Sequence, residues 1–408
     1  MQIQTIEDKI THFLERKFRI SRSLSTKNSY KTALNKFIEF LDVHYGFDVK
    51  QLLYQIETKQ LDSIDVLDNF YTFLAEYRRE NSIKTGYSNH TIRDYLIVIK
   101  EFLNGEGCKI YNEDIKQRFR LPRKIYTFEK GLTKETINRL IRLANPKLAT
   151  TILIACSSGM RVGEITQLRL CDLDFSQEPV SVTVRAETTK TRETRITHIS
   201  SEAVSALKDY LARKKPGIKN QDYLFLLQHE DRLKILRNRL EKNNYENNGL
   251  KKMDQKNIRI LESNLKHISK EERYAKSVLS TNHNIEKQLS VLIKNIPELD
   301  TKNDNGRNSI HFHAFRAWFK TQVTDAHQSD FAEALMGHKS LKLMYYRQNE
   351  KARAQIYQDV EHALTIAETE KLDQNYTQIQ KENHELRGII DNLSRQLQNL
   401  EKRIENQV

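Results

Sequence analysis

The sequence predicts a mainly α-helical fold with a small β-sheet or hairpin, and three observations support this. Only 12 Gly and 5 Pro interrupt the 408 residues, so long helices are possible. Apolar residues recur at spacings of three and four over most of the chain, which is typical of one buried helix face. Alternation of the kind found in strands is confined to one short segment near Val182 and Val184. A chain of this length is expected to form two or three domains.

The composition favours an anionic partner. Lys and Arg total 67 against 54 Asp and Glu, a net charge of +13. Nucleic acid is the first candidate, because binding it releases counterions, and an ordinary basic soluble protein is the alternative. We expect a cytoplasmic protein with no membrane partner, since no apolar run spans a bilayer and the charged N-terminus lacks a signal peptide. Cys108, Cys156 and Cys171 are predicted to be small core residues of a reducing compartment.

Residues 1–115 are predicted to form an N-terminal helical domain. Three segments within it place apolar side chains on one helix face, and such faces are usually core surfaces. Ser25 or Thr26 is the expected N-cap of the first of these helices, and Ser88 that of the third.

Residues 116–130 are predicted to be a basic interdomain linker. They contain one proline and no acidic residue before Glu129. Their uniform charge indicates a segment that lies along phosphate, with a solvated loop as the alternative. The candidate DNA-binding residues are Lys116, Arg118, Arg120, Arg123 and Lys124.

Residues 131–362 are predicted to form a second domain of helices with one hairpin. Thr133 is the expected N-cap of its first helix, and Glu135 suits the positive end of the helix dipole. The alternation at Val182 and Val184 is broken around residues 188–191, which predicts a hairpin with Lys190 at or near its turn.

A charged helical insertion is predicted at about residues 228–308, where Asn, Lys and Glu dominate. Two apolar seams of coiled-coil type occur in it, and they could fold back as a helical hairpin. The seams consist of Ile258, Leu261, Leu265 and Ile268, and of Ile285, Leu289, Leu292 and Ile296.

Residues 363–408 are predicted to form a C-terminal coiled coil, because apolar residues recur there every seven positions. One set is Leu372, Ile379, Leu386, Leu393 and Leu400. Asn383 falls in the alternate set, where a single buried asparagine favours a parallel dimer in fixed register. We therefore expect self-association, or pairing with a partner helix.

Candidate catalytic residues occur in four places, after the Walker, zinc-protease, paired-cysteine and serine-hydrolase motifs are excluded. Arg161 follows a Gly159 turn and could direct two donors at a phosphate, with a surface Arg161–Glu164 ion pair as the alternative. Lys190 is predicted to be exposed on the hairpin. His313 and Arg316 share a helix face, while His311 with His313 is only weak evidence for a metal site.

The fourth place is Gly337-His338 followed by Tyr345 and Tyr346. Adjacent helical residues point about 100° apart, so one tyrosine could be a nucleophile while the other packs in a core.

The order of these elements resembles the tyrosine recombinase or phage integrase family. "SGMRVGE" is similar to the first arginine motif of that family, "HFHAFR" to its His-x-x-Arg motif and "MGHKSLKLMYYR" to its Gly-His and tyrosine motif. The resemblance spans roughly residues 24–360, apart from the insertion. The Tyr-Tyr-Arg ending looks more like archaeal integrases than like bacterial Xer proteins.

The resemblance implies a site-specific DNA recombinase that integrates or excises a mobile element through a 3′-phosphotyrosine intermediate. It implies that Arg161 and Arg316 bind the phosphate, that His313 accepts or orients the tyrosine proton and that His338 contacts the same phosphate. Lys190 would protonate the leaving 5′ oxygen, and Glu164 would support Arg161. Neither a metal nor ATP is needed, because the phosphotyrosine bond conserves the phosphodiester energy.

Tyr345 is the favoured nucleophile, because the family's tyrosine is followed by any residue and then Arg or His. Counting from His338 favours Tyr346 instead, and Tyr357 is predicted to pack a helix. The expected partners are double-stranded DNA, clamped by both domains, and further copies of the chain, as a dimer in solution and a tetramer on DNA. The alternatives are a type IB topoisomerase-like relaxing enzyme and a non-catalytic DNA-binding protein.

Overall fold

The computed structural model describes residues 5–78, 85–118, 123, 131–242, 248–302, 308–338 and 349–366. The chain divides into two compact units, each with its own core. The first unit consists of Met1–Phe128 and Leu227–Ser280, and the second of Glu129–Leu226 and Thr281–Val408. The predicted fold class, mainly helical with a small sheet, is confirmed.

The first unit begins with six helices whose apolar faces form one aromatic-rich core. They are α1 (Ile6–Ser21), α2 (Leu24–Tyr45), α3 (Val49–Glu57), α4 (Ser63–Glu76), α5 (Asn89–Gly105) and α6 (Asn112–Arg118). The rings of Phe37, Phe40 and Phe70 are fully buried at its centre. Aromatic side chains bury large areas, so this cluster is a main contributor to the stability of the unit.

The helix caps of this unit are partly as predicted. Ser88 caps α5, its hydroxyl accepting from the Thr91 N–H. The N-cap of α2 is Ser23, not Ser25 or Thr26, because Ser23 is extended and its hydroxyl accepts from the Thr26 N–H. The predicted linker begins with helical residues, since α6 extends to Arg118.

Three further helices occupy the predicted insertion: α11 (His229–Lys242), α12 (Asn248–His267) and α13 (Lys270–Lys294). The helices that pack together are α11 and α12, joined by ion pairs between Arg237 and Glu262 (2.6 Å) and between Arg239 and Asp254 (3.0 Å).

The second apolar seam does not form a coiled coil. Ile285, Leu289 and Ile296 are buried in the core of the second unit. The expected pairing of the two seams is therefore wrong, because a helical repeat shows that a face is buried but not what covers it.

The second unit is built around α8 (Pro146–Ser158), in which every residue from Leu148 to Ser158 except Ala149 is buried. Its other helices are α7 (Lys134–Leu143), α9 (Val162–Thr166), α10 (Ser201–Lys214), α14 (Phe312–Asp325), α15 (Ser329–Met336) and α16 (Glu350–Leu364). Thr133 caps α7 as predicted, its hydroxyl accepting from the Thr136 N–H.

An antiparallel sheet lies against this helical core, with its strands in the order β1 (Leu173–Asp174), β2 (Val180–Val184) and β3 (Arg195–Ile199). β2 and β3 form the predicted hairpin, in which Val182 pairs with Thr197. Val182, Val184 and Ile199 are buried in the core, so the alternation in the sequence marks a half-buried sheet.

The last described helix, α16, packs into the core of the second unit through Tyr357, Val360 and Leu364. Tyr357 is fully buried and donates to the Ser157 carbonyl (2.8 Å), which fits its predicted packing role. The predicted coiled coil lies outside the described residues from residue 367 onward. Among the helices that are described, none has the length and apolarity needed to cross a membrane.

The cysteine prediction is correct in part. Cys156 is buried in α8 and Cys108 is half-buried. Cys171 is exposed, so it is not a core residue. It lies in the short 3-10 turn Leu170–Asp172 before β1, where local spacing gives no sign of which side faces the core.

Candidate active site

Gly159 places the first candidate arginine. It ends α8 in the left-handed conformation, with φ +63°. A Cβ atom at this position would lie 2.7 Å from Phe319 Cε1 and 2.9 Å from Met336 Cγ, so neither the backbone nor the packing accepts a side chain. The turn brings Arg161 to the N-cap of α9, where its side chain is one-third exposed.

Glu164 fixes the position of Arg161 through two hydrogen bonds. Its carboxylate accepts from the backbone N–H of Arg161 (2.9 Å) and from Arg161 Nη1 (3.1 Å). The side chain of Glu164 is only 2% exposed, so this contact is not the surface ion pair considered as the alternative.

Arg195 is the second partner of Glu164 and was not predicted from the sequence. Its Nη2 lies 2.6 Å from Glu164 Oε2 and its Nη1 3.3 Å from Oε1, while its Nε donates to the Leu335 carbonyl (2.7 Å). Burial raises the pKa of Glu164, but the hydrogen bond and charge of Arg195 outweigh burial and hold that pKa below its ordinary value.

A signal for Arg195 does exist in the strand pattern. Arg195 shares a strand face with Thr197 and Ile199, both of which are buried. A charged residue at the end of a buried row requires a partner, and that partner is Glu164.

Arg316 lies on α14 and is 1% exposed. It donates from Nη1 to the Gly159 carbonyl and from Nη2 to the Met336 carbonyl (2.8 Å). Its Nη2 also lies 2.9 Å from His338 Nε2. Burial, together with the charge of Arg161, lowers the pKa of Arg316 to about 10, so it remains a cation at neutral pH.

His338 follows the end of α15, where Gly337 has φ +68° and lies against the Arg195 side chain. The ring Nδ1 of His338 lies 2.5 Å from Glu333 Oε2. Lys320 Nζ forms an ion pair with the other carboxylate oxygen of Glu333. Glu333 and Lys320 were not predicted. The sequence does place two cations, Arg316 and Lys320, four residues apart on one face of α14, and like charges at this spacing favour an anionic partner.

The structure thus joins Arg161, Glu164, Arg316 and His338 through contacts within the second unit. Lys190 is exposed on the segment between β2 and β3, and His313 is exposed on α14. Tyr345 and Tyr346 lie outside the described residues.

The rings of His311 and His313 are 6.3 Å apart, and no group of three or more His, Cys, Asp or Glu in the described part of the chain could hold a metal ion.

Three of the five candidate DNA-binding residues are described, and all three are exposed. Lys116 and Arg118 lie on α6, and the Arg123 carbonyl accepts from the Asn89 side chain (3.1 Å). The guanidinium of Arg118 is held by Asp62 (2.8 Å) and Asp65 (2.9 Å), partners that a phosphate would have to replace. Arg120 and Lys124 lie outside the described residues.

The sequence model of the phage integrase family matches residues 130–353, more than half of the chain. No curated protein matches it in sequence.

Three solved recombinase structures illustrate the structural similarity. The chain is similar to XerA recombinase, with 17% identity over 87% of this chain and 98% of that chain and a TM-score of 0.33. It is similar to a lambda integrase(75-356) dimer bound to a COC' core site, with 11% identity over 85% and 99% of the two chains and a TM-score of 0.48. It is also similar to XerH site-specific recombinase bound to difH substrate, with 14% identity over 88% of this chain and 87% of that chain and a TM-score of 0.46.

Proposed function

The chain belongs to the phage integrase family and is a tyrosine recombinase, and we propose that it holds the DNA phosphate to be cleaved with Arg161, Arg316 and His338. One observation carries this proposal. Side chains from three distant segments are linked through the Gly159 turn and the Glu164 carboxylate. Arg161 and Arg316 beside each other repel one another without an anionic ligand or a buried counter-charge, and the carboxylate of Glu164 is shared with a third arginine, Arg195.

The proposed chemistry is transfer of a DNA phosphoryl group to a tyrosine. The tyrosine oxygen attacks phosphorus, the bond to the 5′ oxygen breaks, and a 3′-phosphotyrosine forms. Planar guanidinium groups stabilise the charge on the nonbridging oxygens, and their fixed positions avoid reorganisation during the reaction. Glu164 supports Arg161, and its burial keeps that arginine oriented before DNA binds.

The remaining roles follow the family motifs. Tyr345 is the nucleophile, with Tyr346 as the alternative, and Tyr357 is excluded by its complete burial. His313 accepts or orients the tyrosine proton, and Lys190 gives a proton to the leaving 5′ oxygen. Their exposure suits both groups for contact with a ligand as large as DNA.

The biological role we propose is integration and excision of a mobile element of archaeal type, in the nucleoid. Two domains would bind duplex DNA, with Lys116, Arg118, Arg120, Arg123 and Lys124 on its backbone. The net charge of +13 supports such binding. The C-terminal heptads support a dimer in solution, which would assemble into a tetramer on recombining DNA.

A covalent-trapping experiment tests the function. The protein, Tyr345→Phe and Tyr346→Phe are each incubated with nicked DNA that carries a verified attachment site, and adducts are separated on a denaturing gel. We expect the adduct to disappear in Tyr345→Phe only. Loss in Tyr346→Phe alone would move the nucleophile by one residue, and absence of an adduct with the unaltered protein would contradict DNA cleavage.

A further inference from the structure

A row of four side chains, Lys320, Glu333, His338 and Arg316, crosses the candidate site and begins and ends on α14. Lys320 pairs with one oxygen of Glu333, and the other oxygen lies 2.5 Å from His338 Nδ1. On its far side, His338 Nε2 lies 2.9 Å from Arg316 Nη2. Each nitrogen of the imidazole ring therefore has one charged partner, a carboxylate at Nδ1 and a guanidinium at Nε2.

These two partners determine where the proton of His338 lies. Burial raises the pKa of Glu333, but hydrogen bonds from Lys320 and His338 outweigh it and hold that pKa below its ordinary value. Glu333 is thus a carboxylate, which can only accept, so Nδ1 carries a hydrogen. A guanidinium can only donate, so Nε2 accepts from Arg316. These two contacts are the ones that a neutral ring with its hydrogen on Nδ1 makes.

This tautomer cannot donate a hydrogen bond from Nε2 to the phosphate until Nε2 binds a further proton. A phosphodiester oxygen is an acceptor, and a neutral ring protonated at Nδ1 presents a lone pair to it from Nε2. When the phosphate accepts the N–H of Arg316 Nη2, Nε2 loses its donor. A proton from solvent can then bind at Nε2, and the resulting imidazolium can donate to the phosphate.

We propose that Glu333 is a positioning residue that keeps His338 protonated at Nδ1 and couples DNA binding to uptake of one solvent proton at Nε2. The proposal rests on the proposed function, because a phosphate must displace the contact between Arg316 and His338. The charged groups around His338 in the described part of the chain are Glu333, Arg316, Lys320 and, beside Gly337, Arg195. Of these, only Glu333 carries the charge that stabilises an imidazolium.

The pH profile of adduct formation tests this coupling, with Glu333→Gln and Lys320→Gln as a matched pair of variants. Both variants break the Lys320–Glu333 ion pair, but only Glu333→Gln removes the negative charge beside His338. A carboxylate beside an imidazole stabilises the protonated ring, and this matters most at a pH at which solvent protons are scarce. We therefore expect Glu333→Gln to lose about tenfold in adduct formation at about pH 8 and at most about twofold at about pH 6.

The matched control separates this role from a structural one. Lys320→Gln should keep the pH profile of the unaltered protein, and the two variants should unfold at the same temperature. An equal shift in both variants, or no shift in Glu333→Gln, would overturn the proposal.

NMR of the His338 ring nitrogens in the DNA-free protein tests the tautomer directly, without any DNA cleavage. We expect a neutral ring with its hydrogen on Nδ1, assigned by comparison with His338→Gln. A ring protonated at Nε2 would overturn the proposed role of Glu333 and leave the proposed function intact. Absence of an adduct at every pH with the unaltered protein, despite the expected NMR result, would instead count against the proposed function.

Discussion

At the scale of single residues, the buried carboxylate of Glu164 connects two arginines from different elements. Removing one partner of a buried pair leaves an uncompensated charge, which typically costs about 3–5 kcal/mol. We expect Glu164→Ala to lower the free energy of unfolding by about this amount and to abolish the adduct, because Arg161 loses its support. Denaturant titration and covalent trapping would measure the two effects.

A second glutamate provides the control for this change. Glu187 pairs with Arg185 at 3.1 Å but is exposed, so Glu187→Ala should cost less than about 1 kcal/mol. Equal costs for the two variants would contradict the structural role of Glu164. The pKa of Glu164 lies below its ordinary 4.5, so its contribution is complete above that pH and is lost as the pH falls through the lowered value.

At the scale of elements, the α8–α9 turn joins the two arginine motifs, since Arg316 donates to the Gly159 carbonyl. Gly159→Ala would place a methyl group within 2.9 Å of Met336 Cγ at φ +63°. The left-handed backbone costs about 1–2 kcal/mol and overpacking about 1–3 kcal/mol more. We expect a loss of about 2–5 kcal/mol in unfolding free energy and a weaker adduct, measured by denaturation and trapping.

The C-cap of α2 offers the matched control. Gly46 also ends a helix in the left-handed conformation, with φ +66°, but no atom lies within 4 Å of a Cβ placed there. Gly46→Ala should therefore cost only the backbone part, about 1–2 kcal/mol. A larger loss for Gly46→Ala than for Gly159→Ala would show that close packing at the α8–α9 turn does not matter.

At the scale of the whole molecule, the C-terminal heptads predict that two copies associate before they meet DNA. Deleting residues 370–408 should convert a dimer into a monomer, as measured by light scattering of the eluted protein. Leu393→Lys, on the apolar seam, should have the same effect, because a charge would be buried between the helices. Gln398→Lys, which lies off both apolar sets, is the control and should leave the dimer unchanged. A dimer that survives the deletion would contradict the predicted coiled coil.

Much of the site could be predicted from the sequence because its motifs are local. Arg161 with Glu164, His313 with Arg316, and Gly337 with His338 are three motifs that each span only a few residues. Caps such as Thr133 and Ser88 depend only on the next turn of helix. The net charge of +13 and the sparse glycine and proline also follow from composition alone. The family match and the mainly helical fold confirm the predictions made at this level.

Contacts between distant residues required the tertiary structure. Arg195 is 31 residues from Glu164, and Lys320 meets Glu333 across two helices. Ile285 and Leu289 have the spacing of a coiled coil, yet they pack in the catalytic core. Periodicity specifies which face of a helix avoids water, and charge specifies that a buried group needs a partner. The identity of each partner depends on which elements the folded chain brings together, and that is decided by packing over the whole unit.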